Sequence, residues 1–188
     1  IQFGRKYNIN EAYSVHVSQI ACELFDQLQI LHGLPQRYRG LLQIAAILHQ
    51  VGTYVSSKAS HKHSMYLINN SEFFGVGSED KKLVGLIARY HRRAAPSSRH
   101  LGYSTLSREE RVAVTKLASI LRIAIALSVS DGQRIKEVTC KTLPSEIQIV
   151  VKDASDLTLE RMELRQSSQL FENIFGKPVI LASSAIVE

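Results

Sequence analysis

The stretch ILHQVGTYVSSKASHKHS, Ile47 to Ser64, changes character halfway along its length. It opens as the end of an apolar segment in which Leu41, Leu42, Ile44, Ala45, Ile47, Leu48 and Val51 cover most of a helical circumference, so a helix from about Tyr38 to Val51 is expected to be buried. His49 rides on that helix. The stretch closes on Lys58, His61, Lys62 and His63, cations placed just ahead of a short helix predicted around His63 to Ile68. A buried helix that carries a histidine inward and hands over to a basic segment argues for a helical body with a charged margin.

Upstream, Asn10 is a plausible N-cap, and Val17, Ile20, Ala21, Leu24, Leu28 and Leu31 recur at helical spacing until Gly33. Downstream, Ser78 is read as the cap of a helix through Leu83, Leu86 and Ile87 to about His91, followed by a loop at Ala95 and Pro96. Ser107 and Glu110 fit the capping box Ser-x-x-Glu, which opens a long helix to about Val129, ending before Asp131 and Gly132. Beyond Gly132 the period changes. Arg134 to Thr142 and Glu146 to Lys152 read as a hairpin, Asp156 starts a helix closed by Gly176, and Pro178 to Ala182 reads as a strand. The fold class is therefore mainly α: a multi-helix domain at 1–132, followed by a small β-β-α-β α/β domain at 133–188.

The 188 residues carry a net charge of +6, and the excess is local. Between Gly52 and Arg111 ten Lys and Arg face five Asp and Glu, a net of +5, with His61, His63, His91 and His100 in the same span. Such clustering points to an acidic partner, although a solvated basic face has the same composition. Cys22 and Cys140 form no metal-type spacing and read as the reduced thiols of a cytoplasmic protein. No apolar run reaches the roughly 20 residues needed to cross a bilayer; the nearest, Ser119 to Ser130, is interrupted by Arg122. The start at Ile1 without Met suggests a piece of a longer protein.

A catalytic divalent ion needs several anionic or imidazole donors and an open position for water. His16 and His49 can donate if their helices pack together, but Gln50 offers only a neutral amide oxygen and Ile125 offers nothing. The metal site is read as degenerate, with no resident cofactor and room for a weakly bound divalent ion at most. Hydrogen-bonded interior histidines explain the same residues. The cations are a separate matter. Lys58, His61, Lys62 and His63 precede one helix and Arg89, His91, Arg92 and Arg93 gather at the end of another, where a charged helix end is the plain alternative. Together the two clusters could line a groove for a polyanion, arginine binding phosphate as a fork and lysine as a point charge. Phosphate loops of the Gly-x-x-x-x-Gly-Lys type, Gly-x-Ser-x-Gly elbows and Cys-x-x-Cys pairs are missing from the sequence, and the few tyrosines among the cations argue against nucleic acid.

The segments GRKYNINEAYSVHV, AAILHQVG, HKHSMYLINNS, LIARYHRRAAP, LSREERVAVTKLASILRIAIALSVS and LFENIFGKPV, in this order, resemble the C-terminal region of the exopolyphosphatase and guanosine pentaphosphate phosphohydrolase (Ppx/GppA) family over nearly the whole chain. The resemblance implies an HD-like helical domain followed by a small α/β domain. It further implies catalytic actin-like domains, with their Mg, elsewhere in the parent protein. The part present here would bind inorganic polyphosphate or guanosine pentaphosphate and contribute to a homodimer, without a catalytic residue of its own. The family often has Asp where Gln50 stands, His where Ser60 stands and Asp where Ile125 stands, so this sequence departs from the HD ligand pattern at three positions. The alternative is a metal-dependent HD-type phosphohydrolase active in its own right, built on His16, His49, His61 and His91.

Overall fold

Asn10 caps the first long helix: its side-chain oxygen accepts from the Tyr13 N–H at 3.1 Å, one of the free donors of the opening turn. A computed structural model of the chain describes residues 1–72, 75–130, 132, 134–152 and 156–184. After a short helix α1 (Gln2–Lys6), α2 runs Glu11–Gln27 and breaks at Leu28, and a single turn α3 (Gln29–His32) ends on Gly33 at φ +61°, a left-handed position that suits glycine. Helix α4 (Arg37–Leu48) packs along α2, a 3-10 turn (Val51–Tyr54) follows, and then come α5 (Ser60–Asn69), α6 (Ser78–Arg89) and the long α7 (Arg108–Ala126). The Ser107 capping box is present in both directions, with Glu110 N–H donating to Ser107 and Ser107 N–H donating to Glu110.

Three sequence expectations are corrected here. The α5 helix begins at Ser60, so His61, Lys62 and His63 lie within its first turn and do not precede it. Its cap, Ala59, sits in the left-handed region at φ +57°, a conformation that alanine does not announce. The cap of α6 is Gly77, and Ser78 is its first helical residue with no capping bond from a side chain. Finally, α6 stops at Arg89 and α7 at Ala126, each short of the expected end; Asp131 lies outside the described residues.

The last third forms a three-stranded sheet in the order β1-β2-β3, with β1 (Thr139–Thr142) antiparallel to β2 (Ile147–Lys152) and β3 (Val179–Ser184) parallel to it. Helices α8 (Thr158–Ser167) and α9 (Gln169–Phe175) make the crossover, and Gly176 at φ +68° closes it. Ile147, Ile149 and Val151 alternate into the core with Val179 and Leu181. One apolar cluster runs from Val17 and Leu42 through Leu117 to Ile149 and Phe171, so the helical body and the sheet share a core. Gln27 ties them together at an edge. Its amide nitrogen donates to Val138 O at 2.7 Å and its amide oxygen accepts from Cys140 N at 2.7 Å, as a neighbouring strand would. Among the described residues no helix is long and apolar enough to cross a membrane.

Candidate functional site

His49 ends α4, and the next turn is held against α5 by close backbone packing. A Cβ on Gly52 would sit 2.1 Å from Ser60 O and 2.3 Å from Ser64 N, so only glycine fits there. Ser64, fully buried, accepts from Gly52 N at 2.9 Å and donates to His49 O at 2.7 Å. The imidazole of His49 is itself fully buried. Its Nδ1 lies 2.6 Å from Ala46 O, and because a carbonyl only accepts, that nitrogen carries the proton and Nε2 is left bare. His91 repeats the arrangement, Nδ1 donating to Ala88 O at 2.6 Å, and the two rings meet edge to face with centroids 5.1 Å apart and planes at 66°. Burial lowers the His49 pKa to about 4, and burial together with the neighbouring His49 holds His91 well below the usual histidine range. Both rings are neutral at pH 7. His91, read from the sequence as one of the polyanion-binding cations, is 8% exposed and belongs to this buried pair.

The other positions read from the sequence as a metal site do not complete a metal centre among the described residues. His16 Nε2 donates to Ile135 O at 2.6 Å, which leaves Nδ1 as its bare nitrogen, buried and without a hydrogen-bond partner among the described residues. Gln50 lines a cavity of about 370 Å³ with Asn10, Tyr13, Ser128 and Ser130, and Ile125 packs against the core. Among the described residues no three His, Cys, Asp or Glu side chains gather at one point. With a neutral amide, a hydrocarbon and no carboxylate, the donor set does not fit a catalytic divalent ion.

The exposed cations are arranged differently. Helices α5 and α6 pack on each other and bring His61 within electrostatic reach of four positive groups. Burial and then the charges of Arg92, Arg89, Lys62 and Arg93 lower its pKa, and its Nδ1 is buried without a partner. His100 joins from the loop after α6, bonded to the Tyr90 hydroxyl at 2.9 Å and depressed by burial, Arg89 and Lys62. Arg89 lies along Met65 and over the Tyr90 ring, 5.6 Å from its centroid. Among the described residues, Lys62, Arg89, Arg92 and Arg93 make no ion pair. His63, two residues on from His61, leaves α5 about 200° away around the helix. Lys58 is exposed in the bend before it. Neither is brought to the cluster by any contact in the structure.

Arg122 was visible in the sequence only as an interruption of an apolar run, and its place in the site was missed. It is 7% exposed, and its guanidinium donates to Tyr90 O at 2.8 Å, Ala94 O at 2.8 Å and Arg93 O at 3.2 Å. Those bonds hold the turn that presents Arg92 and Arg93, where Arg93 takes a left-handed φ of +59°. Glu163 of α8 was missed as well. It lines a cavity with these arginines and raises the pKa of Tyr13, after burial.

Residues 1–172 match the family description Ppx/GppA phosphatase, domain III. A protein of Aeromonas hydrophila subsp. hydrophila named guanosine-5'-triphosphate,3'-diphosphate pyrophosphatase is 30% identical over 178 residues, which cover 89% of this chain and 33% of that protein. Proteins of the same name from Pseudoalteromonas translucida and Vibrio vulnificus are 29% and 24% identical, covering 80% and 95% of this chain and 28% and 35% of theirs. The chain spans about a third of the length of these curated relatives.

Proposed function

The chain belongs to the Ppx/GppA phosphatase family, and from that premise we propose that it is a region that binds inorganic polyphosphate or guanosine pentaphosphate for a phosphohydrolase and forms a homodimer, with its HD-type metal site degenerate. The observation that carries the reading is uncompensated charge. Lys62, Arg89, Arg92 and Arg93 surround His61 with no carboxylate paired to any of them among the described residues. Cations held near one another repel, and that cost is offset when successive phosphoryl groups lie between them. Arginine forks take phosphate oxygens two at a time, and the free N–H groups of the α5 first turn, which lacks a capping side chain, add partial positive charge.

In this reading, bond cleavage and its Mg belong to the family's catalytic domains, and the residues here neutralise and orient a long anion. His49 and His91 then serve packing, as neutral rings locked by their own helices. Titration of polyphosphate into the protein at increasing salt tests the reading: binding should weaken steeply with salt, and reversing Lys62, Arg89 and Arg92 to Glu should lower affinity by about tenfold or more for each phosphate-binding charge reversed. Salt-independent binding, or charge reversal without effect, would refute it. Elemental analysis showing one tightly held divalent ion per chain would favour the HD phosphohydrolase alternative.

A further inference from the structure

Behind the arginine turn, on the side facing α8, lies a cleft of about 360 Å³ lined by Arg92, Arg93, Arg122, Glu163, Gln166 and Ser167. From it we propose a second site, which holds a single tetrahedral oxyanion, orthophosphate or the terminal phosphoryl group of a chain, on the guanidiniums of Arg122 and Arg93. The inference rests on the polyanion reading and adds to it an adjoining pocket for one phosphoryl unit, which shares Arg92 and Arg93 with the basic cluster.

Three observations converge. First, Arg122 is a buried charge without a counter-ion. Three of its N–H groups go to the carbonyls of Tyr90, Arg93 and Ala94 through Nε and Nη2, while Nη1 has no partner among the described residues. Carbonyl dipoles answer part of such a charge and leave the rest to an anion, so a guanidinium fixed on three sides with its remaining donors at a cleft is preorganised for one. Second, the cleft holds three guanidiniums against one carboxylate, a net of +2, and none of the arginines is ion-paired to Glu163. Glu163 instead accepts from its own helix neighbour Ser167, at 3.1 Å. Third, the backbone presenting Arg93 is held at φ +59°, a conformation that costs a non-glycine residue energy and is fixed in place by the Arg122 bonds. On the opposite wall Gln166 adds a neutral amide donor. A volume of about 360 Å³ accommodates one phosphoryl group with its hydration, whether a chain end or a free ion.

Orthophosphate is the probe, titrated into the whole chain and followed by calorimetry and by phosphorus NMR linewidth. Arg93→Gly removes a guanidinium while relieving the left-handed φ, so the fold is kept; Gln166→Glu adds a negative charge on the exposed wall of α8. Each should weaken orthophosphate binding by about tenfold or more, Glu163→Gln should strengthen it, and Lys62→Glu, outside the cleft, should leave it within about twofold. Competition by short polyphosphate identifies the occupant as a chain end, and lack of competition as the free ion. If orthophosphate fails to bind at low salt, or if Arg93→Gly and Gln166→Glu change nothing, the second site is overturned. Loss of polyphosphate binding in the Lys62 and Arg89 reversals, both outside the cleft, would in that case still support the groove, which separates the two failures.

Discussion

Lowering the pH from 7 to 5 should destabilise this protein through its buried imidazoles. His49 is held near 4 in the folded chain by burial, opposed only by its bond to Ala46 O, against an ordinary value of 6.5 when unfolded. A histidine with a depressed folded pKa leaves the unfolded state binding more protons as pH falls, so its contribution is complete above about pH 6.5 and declines toward pH 4. Integrated from pH 7 to pH 5, His49 alone removes about 2 kcal/mol of stability, a large share of the 5–15 kcal/mol typical of a domain. His91 acts in the same direction. Around the pair stand Tyr13, His61 and Arg92, and none of them is a carboxylate that could rescue an imidazolium. Urea denaturation followed by circular dichroism, with chelator present, gives the stability at each pH. His49→Asn retains an amide donor for Ala46 O but cannot titrate, so its stability should fall by about 2 kcal/mol less than the wild type over the same interval. Parallel curves for the two proteins would show that His49 does not carry a depressed pKa and that the buried-pair reading is wrong.

Other outcomes follow from packing. Gly52→Ala drives a methyl group into backbone atoms of Ser60 and Ser64, which cannot move aside cheaply, and should cost about 2–4 kcal/mol, visible as a drop in Tm. Gln27→Ala strands the Val138 carbonyl and the Cys140 N–H and should cost about 1–3 kcal/mol by the same assay, while Gln27→Glu restores only the acceptor. Leu159 and Met162, one helical turn apart on α8 and 53% and 54% exposed, are the exposed apolar pair through which the proposed homodimer would form. Light scattering should show a dimer that Leu159→Asp together with Met162→Asp converts to a monomer, and an unchanged mass would remove that face from consideration.

Much of the fold was legible because it rests on local rules. The Asn10 cap, the Ser107 to Glu110 capping box, the helix-closing glycines Gly33 and Gly176, and the period-2 run Ile147 to Val151 each act through neighbouring residues, and periodicity reports them faithfully. The site was less legible because it depends on which side of a helix end faces inward. His91 sits beside Arg92 and Arg93 and looks cationic by neighbourhood. It is also four residues beyond Ile87 and eight beyond Leu83, in line with the buried stripe of α6 just past its last residue, and that spacing was the available signal. The start of α5 was misplaced because Ala59 adopts a left-handed conformation that its side chain does not advertise. Arg122 could have been singled out, since a charge inside a run that buries Ile120, Leu121 and Ile123 must have a dedicated set of partners. Which carbonyls those are, 28 to 32 residues away, no local rule reports.

The Gln27 amide has a further consequence for how the small sheet can grow. By imitating a peptide unit it occupies the outer margin of β1, so a foreign strand could join there only by first evicting it. The β3 margin is met by α8, where the Arg161 side chain donates to Leu181 O at 3.4 Å, a longer bond than those of Gln27. Helix side chains thus stand at both margins of the sheet, α2 holding the β1 side more tightly than α8 holds the β3 side.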